Sequence, residues 1–222
     1  MRKKITREDN FTYLLSSLIF LLFSGACIDE FMSGYGQGII LLATIITMVI
    51  GIWSIRSTRY IFNTGIVLLS LAILTSLLIK ILDIREFEFI YISLLLLFFL
   101  LTLKPALEQA LFSGQITKNN IIGSICIYLL LGLIWTMLYL LIAEFTPNSF
   151  SGIEAFDWKK NLPDFIYFSF VTLTTLGFGD ILAISPLARF LAYMEAIVGV
   201  FYMAIVVSSL VGAKMSESQS DN

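Results

Sequence analysis

The stretch TTLGFGD, residues 174–180, combines residue types that suit the binding of a cation by backbone oxygens. Two glycines, Gly177 and Gly179, flank the aromatic residue Phe178. Glycine adopts left-handed dihedral angles without the steric cost that other residues incur. An extended chain with glycines at alternate positions can therefore turn its carbonyl oxygens toward one side. Oxygens arranged in this way can replace the water around a cation, provided that other elements hold the backbone in place.

The composition predicts that this stretch lies in an integral membrane protein. Hydrophobic residues make up 58% of the chain and charged residues only 14%. A soluble fold would expose more apolar surface than its polar residues could cover. The chain has no histidine, two cysteines (Cys27 and Cys126) and a net charge of -2 without a basic block. These features argue against zinc sites, Cys/His nucleophiles and nucleic acid as a partner, and no candidate active site of an enzyme is visible.

Six apolar runs predict six membrane-spanning helices in an all-α fold. They cover residues 11–28, 38–55, 60–79, 89–103, 121–143 and 190–212. A span needs roughly 20 residues, and the run 89–103 is counted although it is short because the charge pattern requires it. With the amino terminus inside, cytoplasmic segments hold nine basic residues and outer segments hold five. This bias favours a multi-pass protein of the plasma or bacterial inner membrane, with both termini in the cytoplasm.

A shorter apolar segment, residues 162–175, lies between the last two runs. It is too short to cross the membrane and return, but a helix that enters from outside and stops halfway fits its length. Asn161, Pro163 and Asp164 supply signals for the start of such a helix. Irregular backbone at membrane depth is tolerated only when it is buried in protein or lines a water-filled path. The segment after Thr175 is therefore predicted to line a pore.

TTLGFGD resembles the selectivity filter of potassium channels, which usually reads TTVGYGD, and residues 121–212 resemble the family's layout of outer helix, pore helix, filter and inner helix. The resemblance implies a homotetramer in the lipid bilayer, in which each chain contributes one strand of the filter. Potassium would be the permeant ion, and no cofactor is implied. The implied filter residues, whose carbonyls and innermost hydroxyl bind the ion, are Thr175, Leu176, Gly177, Phe178 and Gly179.

Phe178 departs from the family pattern, because the family's tyrosine hydroxyl, which often bonds to a pore-helix tryptophan, is missing. Leu176 likewise replaces a valine. We therefore expect another form of support and a filter more prone to inactivation. The residues predicted to support the filter are Thr174, Asp180, Tyr167, Phe168 and Glu195, of which Tyr167 and Phe168 occupy the tryptophan positions. Val171 stands where some members have a glutamate that bridges to the filter acid, so Asp180 is expected to have a different partner.

Two residues of the predicted inner helix invite a functional interpretation. Gly199 lies 20 residues after Gly179, where the family often has a hinge glycine, and close helix packing is the alternative. Glu195 lies one turn earlier on the same face. An acid at this depth is costly unless it is neutral or has a partner. We expect it to support the pore helix through Thr172 or Ser169, with a plain polar contact between helices as the alternative.

The first four predicted spans lack the arginines of a voltage sensor, because the run 89–103 has no basic residue. A gating charge contributes about 2.3 kcal/mol per 100 mV, so we expect weak voltage dependence. The predicted organisation is a cytoplasmic segment 1–10, a four-helix domain 11–112, a linker 113–120, a pore domain 121–212 and a tail 213–222. Within the pore domain we predict an outer helix at 121–143, a pore helix at 162–174, the filter at 175–179 and an inner helix at 188–212.

Several alternatives remain open from the sequence. A potassium transporter and a membrane signalling protein can both carry a filter-like loop. The start of the chain, residues 1–27, also has some features of a cleaved lipoprotein signal. A second glycine-aromatic-glycine, Gly34-Tyr35-Gly36, is read as a loop because too few residues surround it for a re-entrant helix.

Overall fold

The computed structural model describes residues 10–31, 36–54, 59–82, 85–111, 117–153 and 158–220. Within these ranges the chain forms seven helices and one two-stranded antiparallel sheet. The helices are α1 (Asn10–Phe31), α2 (Gly36–Ser54), α3 (Arg59–Leu82), α4 (Arg85–Leu111), α5 (Lys118–Phe145), α6 (Trp158–Leu173) and α7 (Pro186–Ser220), and the strands are β1 (Phe150–Ser151) and β2 (Leu182–Ala183). Gly34 and Tyr35, read as part of a loop, lie outside the described residues.

Four helical segments of the described chain are long and apolar enough to cross a membrane. They are Arg59–Leu82, Glu86–Ala110, Lys118–Phe145 and Pro186–Ser209, while the apolar stretches of α1 and α2 are shorter, Asn10–Ala26 and Leu41–Ser54. The protein is thus an all-α membrane protein, and the number of six spans stays a prediction. The run 89–103 is not a short helix, because residues on both sides of it continue α4 to a length of 27 residues.

Several helix bounds differ from the predicted ones. α5 begins within the predicted linker, because the Thr117 side chain caps its first turn by accepting from the backbone N–H of Asn120 at 3.3 Å. α6 begins four residues before position 162, since nothing in residues 158–162 breaks a helix ahead of Pro163. α7 includes residues 213–220 of the predicted tail, because no glycine or proline follows Gly212 to end it.

α5 is the central helix, in contact with α1, α4, α6 and α7. Two of its glycines allow close approach of neighbours. A Cβ on Gly123 would lie 2.8 Å from Ala110 of α4 and 2.9 Å from the Phe11 ring of α1, and a Cβ on Gly132 would lie 2.6 Å from the Phe170 ring of α6. α6, the helix that leads into the TTLGFGD stretch, therefore packs directly against α5, the central helix.

The interior of α1–α4 contains hydroxyl side chains rather than charges. Thr44 and Tyr91 join α2 to α4 through a hydrogen bond of 2.7 Å between their hydroxyl groups. Thr47 donates to the carbonyl of Ser17 at 3.3 Å and so joins α2 to α1. None of the buried polar side chains in the described part of these four helices is basic.

Candidate functional site

The backbone of residues 174–180 leaves the end of α6 in an irregular extended conformation. Thr175, Gly177 and Gly179 have positive φ angles of 61°, 56° and 82°, whereas Leu176 and Phe178 between them do not. In an ordinary strand successive carbonyls point to opposite sides. An alternation of positive and negative φ counteracts this reversal and so favours successive carbonyl oxygens on one side.

Hydrogen bonds from this segment to the end of α6 determine the side to which the carbonyl oxygens point. The N–H of Thr175 donates to the carbonyl of Thr172 at 2.9 Å, and the N–H groups of Leu176 and Gly177 donate to Val171 at 2.9 and 3.4 Å. These bonds satisfy carbonyls that the end of a helix leaves without partners. The C=O and N–H of a trans peptide point in opposite directions. The carbonyls of Thr175 and Leu176 therefore point away from α6.

The glycines are required here for their backbone conformation and not for lack of space. A Cβ on Gly177 or Gly179 would meet nothing within 4 Å in the same chain. Thr175 is the exception, since a β-branched residue with positive φ is strained, and such strain is typical of functional sites. Leu176 and Phe178 are 62% and 67% exposed in the single chain. The single chain therefore presents this segment on an open face that its own described residues do not cover.

Tyr167 of α6 supports the outer half of the segment. Its ring lies parallel to that of Phe178, with 6.4 Å between centroids and 2° between planes. Its hydroxyl donates to the carboxylate of Asp180, and this bond is the largest cause of a lowered Asp180 pKa, to which the backbone N–H of Ile181 adds. Asp180 thus remains a carboxylate at the mouth of the segment, with Tyr167 as the partner that the sequence did not identify.

Phe168 lies on a different face of α6 and is buried in an aromatic cluster. Its ring is 5.0 Å from that of Tyr139 in α5 and 5.6 Å from that of Phe150 in β1. Phe150 also lies 4.9 Å from Phe165. Because Phe150 pairs with Ala183 of β2, just beyond the segment, this cluster ties α6 to the chain that follows it.

The outer end of the segment is held by the loop after α5. A Cβ on Gly152, whose φ is 87°, would lie 2.2 Å from the carbonyl oxygen of Asp180. The N–H of Ile184 donates to the carbonyl of Ser149 at 2.7 Å. Only glycine fits at position 152, because both its φ angle and the closeness of Asp180 exclude a side chain.

Glu195 joins three helices behind the segment. It is fully buried, and its two carboxyl oxygens lie 2.5 Å from the hydroxyls of Tyr139 in α5 and Ser169 in α6. Of the two partners expected, the structure selects Ser169. The Ser169 oxygen also lies 2.8 Å from the carbonyl of Gly132. Ser169 has a single hydroxyl hydrogen, so both of its contacts are hydrogen bonds at once only if Glu195 carries a proton and donates it.

Gly199 packs against the end of α6. A Cβ on Gly199 would lie 2.0 Å from the carbonyl oxygen of Leu173, while α7 remains helical through this position. The contact accounts for a glycine by close packing, and a hinge at Gly199 stays a prediction. Thr174 contributes at the same end through its hydroxyl, which donates to the carbonyl of Phe170 at 2.6 Å.

Sequence reasoning did not single out Gly152 or Tyr139, although both hold parts of this site. A tyrosine within the apolar run of α5 was the available signal for Tyr139, since a buried hydroxyl needs a partner. Nothing local marked Gly152, because the atom that it must avoid lies 28 residues later in the sequence.

Residues 123–215, which include most of α5, all of the site and most of α7, match a family model described as "Ion channel". No curated protein and no solved structure matches the chain.

Proposed function

We propose that this chain, whose residues 123–215 match the ion channel family model, forms a homotetrameric pore that conducts potassium ions down their electrochemical gradient. The family makes the protein a channel rather than an enzyme. The observation that carries potassium selectivity is the backbone of the TTLGFGD segment. Its alternating φ angles, and its N–H groups bonded to α6, leave carbonyls to face the open side.

The proposed mechanism replaces the ion's water with peptide oxygens. A potassium ion enters after it loses its hydration shell, and carbonyl oxygens compensate for that loss. Four copies around one axis provide a ring of four oxygens at each level. The carbonyls of Thr175, Leu176, Gly177 and Phe178 form these rings, and the Thr175 hydroxyl forms the innermost one. Gly179 continues the alternation at the outer end.

The tetramer is supported by the exposure of the segment. A single protomer provides one oxygen at each level and leaves Leu176 and Phe178 largely uncovered. Neighbouring copies would bury these side chains and place the carbonyl faces opposite one another. The strained Thr175 also fits this arrangement, because each copy would hold its neighbours in a conformation that an isolated loop would not keep.

Support of the filter differs from that of the usual family pattern. The hydroxyl absent from Phe178 is present on Tyr167, which stacks on Phe178 and donates to Asp180. Glu195 and Phe168 hold the pore helix from behind. Because the Phe178 ring has no hydroxyl and stacks on Tyr167, we expect faster inactivation than in a Phe178→Tyr variant. Equal inactivation of the two channels in electrical recordings would count against this role.

We further propose that both termini lie in the cytoplasm and that α1–α4 form a four-helix domain without a voltage sensor, with six spans in all. The excess of basic residues on the cytoplasmic side supports the orientation. The absence of buried basic side chains in the described parts of α1–α4 supports weak voltage dependence.

Ion flux out of liposomes that contain the purified protein tests the proposal. Purified protein should release potassium much faster than sodium, barium should block the flux, and Gly177→Ala should abolish the selectivity because alanine disfavours positive φ. Gly25→Ala is the matched control, since its Cβ would lie 3.9 Å from the nearest atom, Ile166 Cδ1, in ordinary contact. A monomeric protein, or equal sodium and potassium flux in the wild type, would refute the proposal. Potassium flux strictly coupled to a second ion would indicate a transporter instead.

A further inference from the structure

The carbonyl group of Leu173 lies at the inner end of the segment 174–180. This residue ends α6, so the helix provides no N–H for its carbonyl. The N–H groups that follow are used elsewhere, since those of residues 174–177 donate to Phe170, Thr172 and Val171. Buried backbone carbonyls are nearly always paired. The Leu173 carbonyl therefore needs a donor from outside the pore helix.

Tyr128 of α5 provides that donor. Its hydroxyl donates to the Leu173 carbonyl oxygen at 3.3 Å. Gly199 of α7 covers the same oxygen closely enough that a Cβ there would lie 2.0 Å away. The carbonyl thus lies between a hydroxyl of the outer helix and the backbone of the inner helix.

The position of the Tyr128 ring is set by α7. Tyr128 stacks on Tyr202, with centroids 5.7 Å apart and planes 29° apart. Tyr202 is buried, and its hydroxyl donates to the carbonyl of Ser124 at 2.6 Å. Tyr202 follows Gly199 by three residues and so lies on the same face of α7. Movement of this part of α7 would therefore displace the donor and the cover of the Leu173 carbonyl together.

We propose that Tyr128 is a positioning residue for the inner end of the filter and that Tyr202 couples it to the inner helix. This inference rests on the proposed function. The Tyr128 hydroxyl fixes the last peptide of α6, and Thr175, which follows two residues later, holds a strained conformation that depends on that anchor. Loss of the anchor lets Thr175 relax toward negative φ, which turns its carbonyl away from the axis. The innermost ring of oxygens, and not the outer mouth, should then lose its geometry.

The variant Tyr128→Phe tests this role, because it keeps the aromatic stack and removes only the hydroxyl. Tyr91→Phe is the matched control, since it also removes one tyrosine hydroxyl that bonds between helices, in this case to Thr44 in α2. Both variants are compared with the full-length wild type as tetramers in planar bilayers. Tyr128→Phe should lower the potassium-to-sodium permeability ratio by about three- to tenfold, the effect of one hydrogen bond, and shorten the open times. Tyr91→Phe should change neither.

The outcomes separate this inference from the function on which it rests. A wild-type protein that does not select potassium refutes the proposed function itself. A selective wild type whose Tyr128→Phe variant is equally selective refutes only the positioning role, and so does an equal loss in Tyr91→Phe. If Tyr128→Phe does not assemble, Tyr202→Phe decides. This variant removes the bond between the Tyr202 hydroxyl and Ser124, so the Tyr128 ring that stacks on Tyr202 is held less firmly. The permeability ratio and the open times should then change in the direction expected for Tyr128→Phe. Unchanged values there would overturn the inference.

Discussion

Removal of the Glu195 side chain tests whether the junction of α5, α6 and α7 holds the pore together. In Glu195→Ala, Ser169 keeps the carbonyl of Gly132 as an acceptor, whereas the buried hydroxyl of Tyr139 loses the acceptor that it has in the structure. A buried hydroxyl without a partner costs about 1–3 kcal/mol. The cavity left by the side chain adds about 1 kcal/mol. We therefore expect each protomer to lose about 2–4 kcal/mol.

Glu195→Gln is the matched variant, because an amide has the same shape and can satisfy both neighbours. Its oxygen can accept from Tyr139, and its NH₂ group can donate to Ser169, whose hydroxyl then keeps the carbonyl of Gly132 as its acceptor. Its cost should stay below about 1 kcal/mol per protomer, as in volume-conserving substitutions. Tyr139→Phe in the Glu195→Ala background should restore part of the stability, because it removes the hydroxyl that has lost its acceptor.

The assay is thermal dissociation of the proposed tetramer, purified in one detergent, together with potassium flux in liposomes. The expected order of stability is wild type and Glu195→Gln, then the double variant, then Glu195→Ala. The reasoning fails if Glu195→Ala dissociates at the wild-type temperature. It also fails if Glu195→Gln is as unstable as Glu195→Ala, since a charged carboxylate and not the hydrogen-bond pattern would then matter.

Three further predictions concern the filter, the inner helix and gating. The Tyr167 bond depresses the pKa of Asp180, so its contribution is present at neutral outer pH and is lost as pH falls through the lowered value. In Tyr167→Phe, recordings at stepwise lower outer pH should show inactivation at less acidic pH than in the wild type, and identical pH profiles would contradict the bond. Gly199→Ala should weaken the tetramer in the same dissociation assay, because its Cβ collides with the Leu173 carbonyl, whereas wild-type stability would favour a hinge without close packing. Current–voltage recordings should show no steep activation, and a steep Boltzmann curve would reveal gating charge that the described helices do not bury.

The parts of the molecule that depend on local sequence could be predicted well. The run 121–143 gave α5 to within a few residues, because twenty or more apolar residues between polar ends specify a helix. Gly177 and Gly179 indicated the positions of positive φ in the segment 174–180, since no other residue adopts them at so low a cost. The positive φ of Thr175 was not indicated, because it runs against the preference of a β-branched residue and depends on contacts with the rest of the fold.

Contacts between distant segments could not be read from the sequence. Glu195 was recognisable as an acid that needs a partner, but two hydroxyl residues of α6, Thr172 and Ser169, were equally suitable. Which of the two faces Glu195 depends on the rotation of α6 about its own axis, and that rotation is fixed by packing against Gly132. The sequence also offered no reason to pair Tyr167 with Asp180. Their bond forms because the segment 174–180 runs back alongside α6, which brings these two residues together although they are 13 positions apart.

α1 packs against α6 as well as against α5. Its Phe11 lies against Gly123 and its Gly25 against Ile166 of α6, the latter with 3.9 Å between the nearest atoms when a Cβ is placed on the glycine. A change in bilayer thickness that alters the tilt of α1 is therefore expected to reach α6, and through it the proposed filter, by direct contact. We therefore expect molecules that bind between α1 and α6 to alter conduction through the proposed pore without entering it.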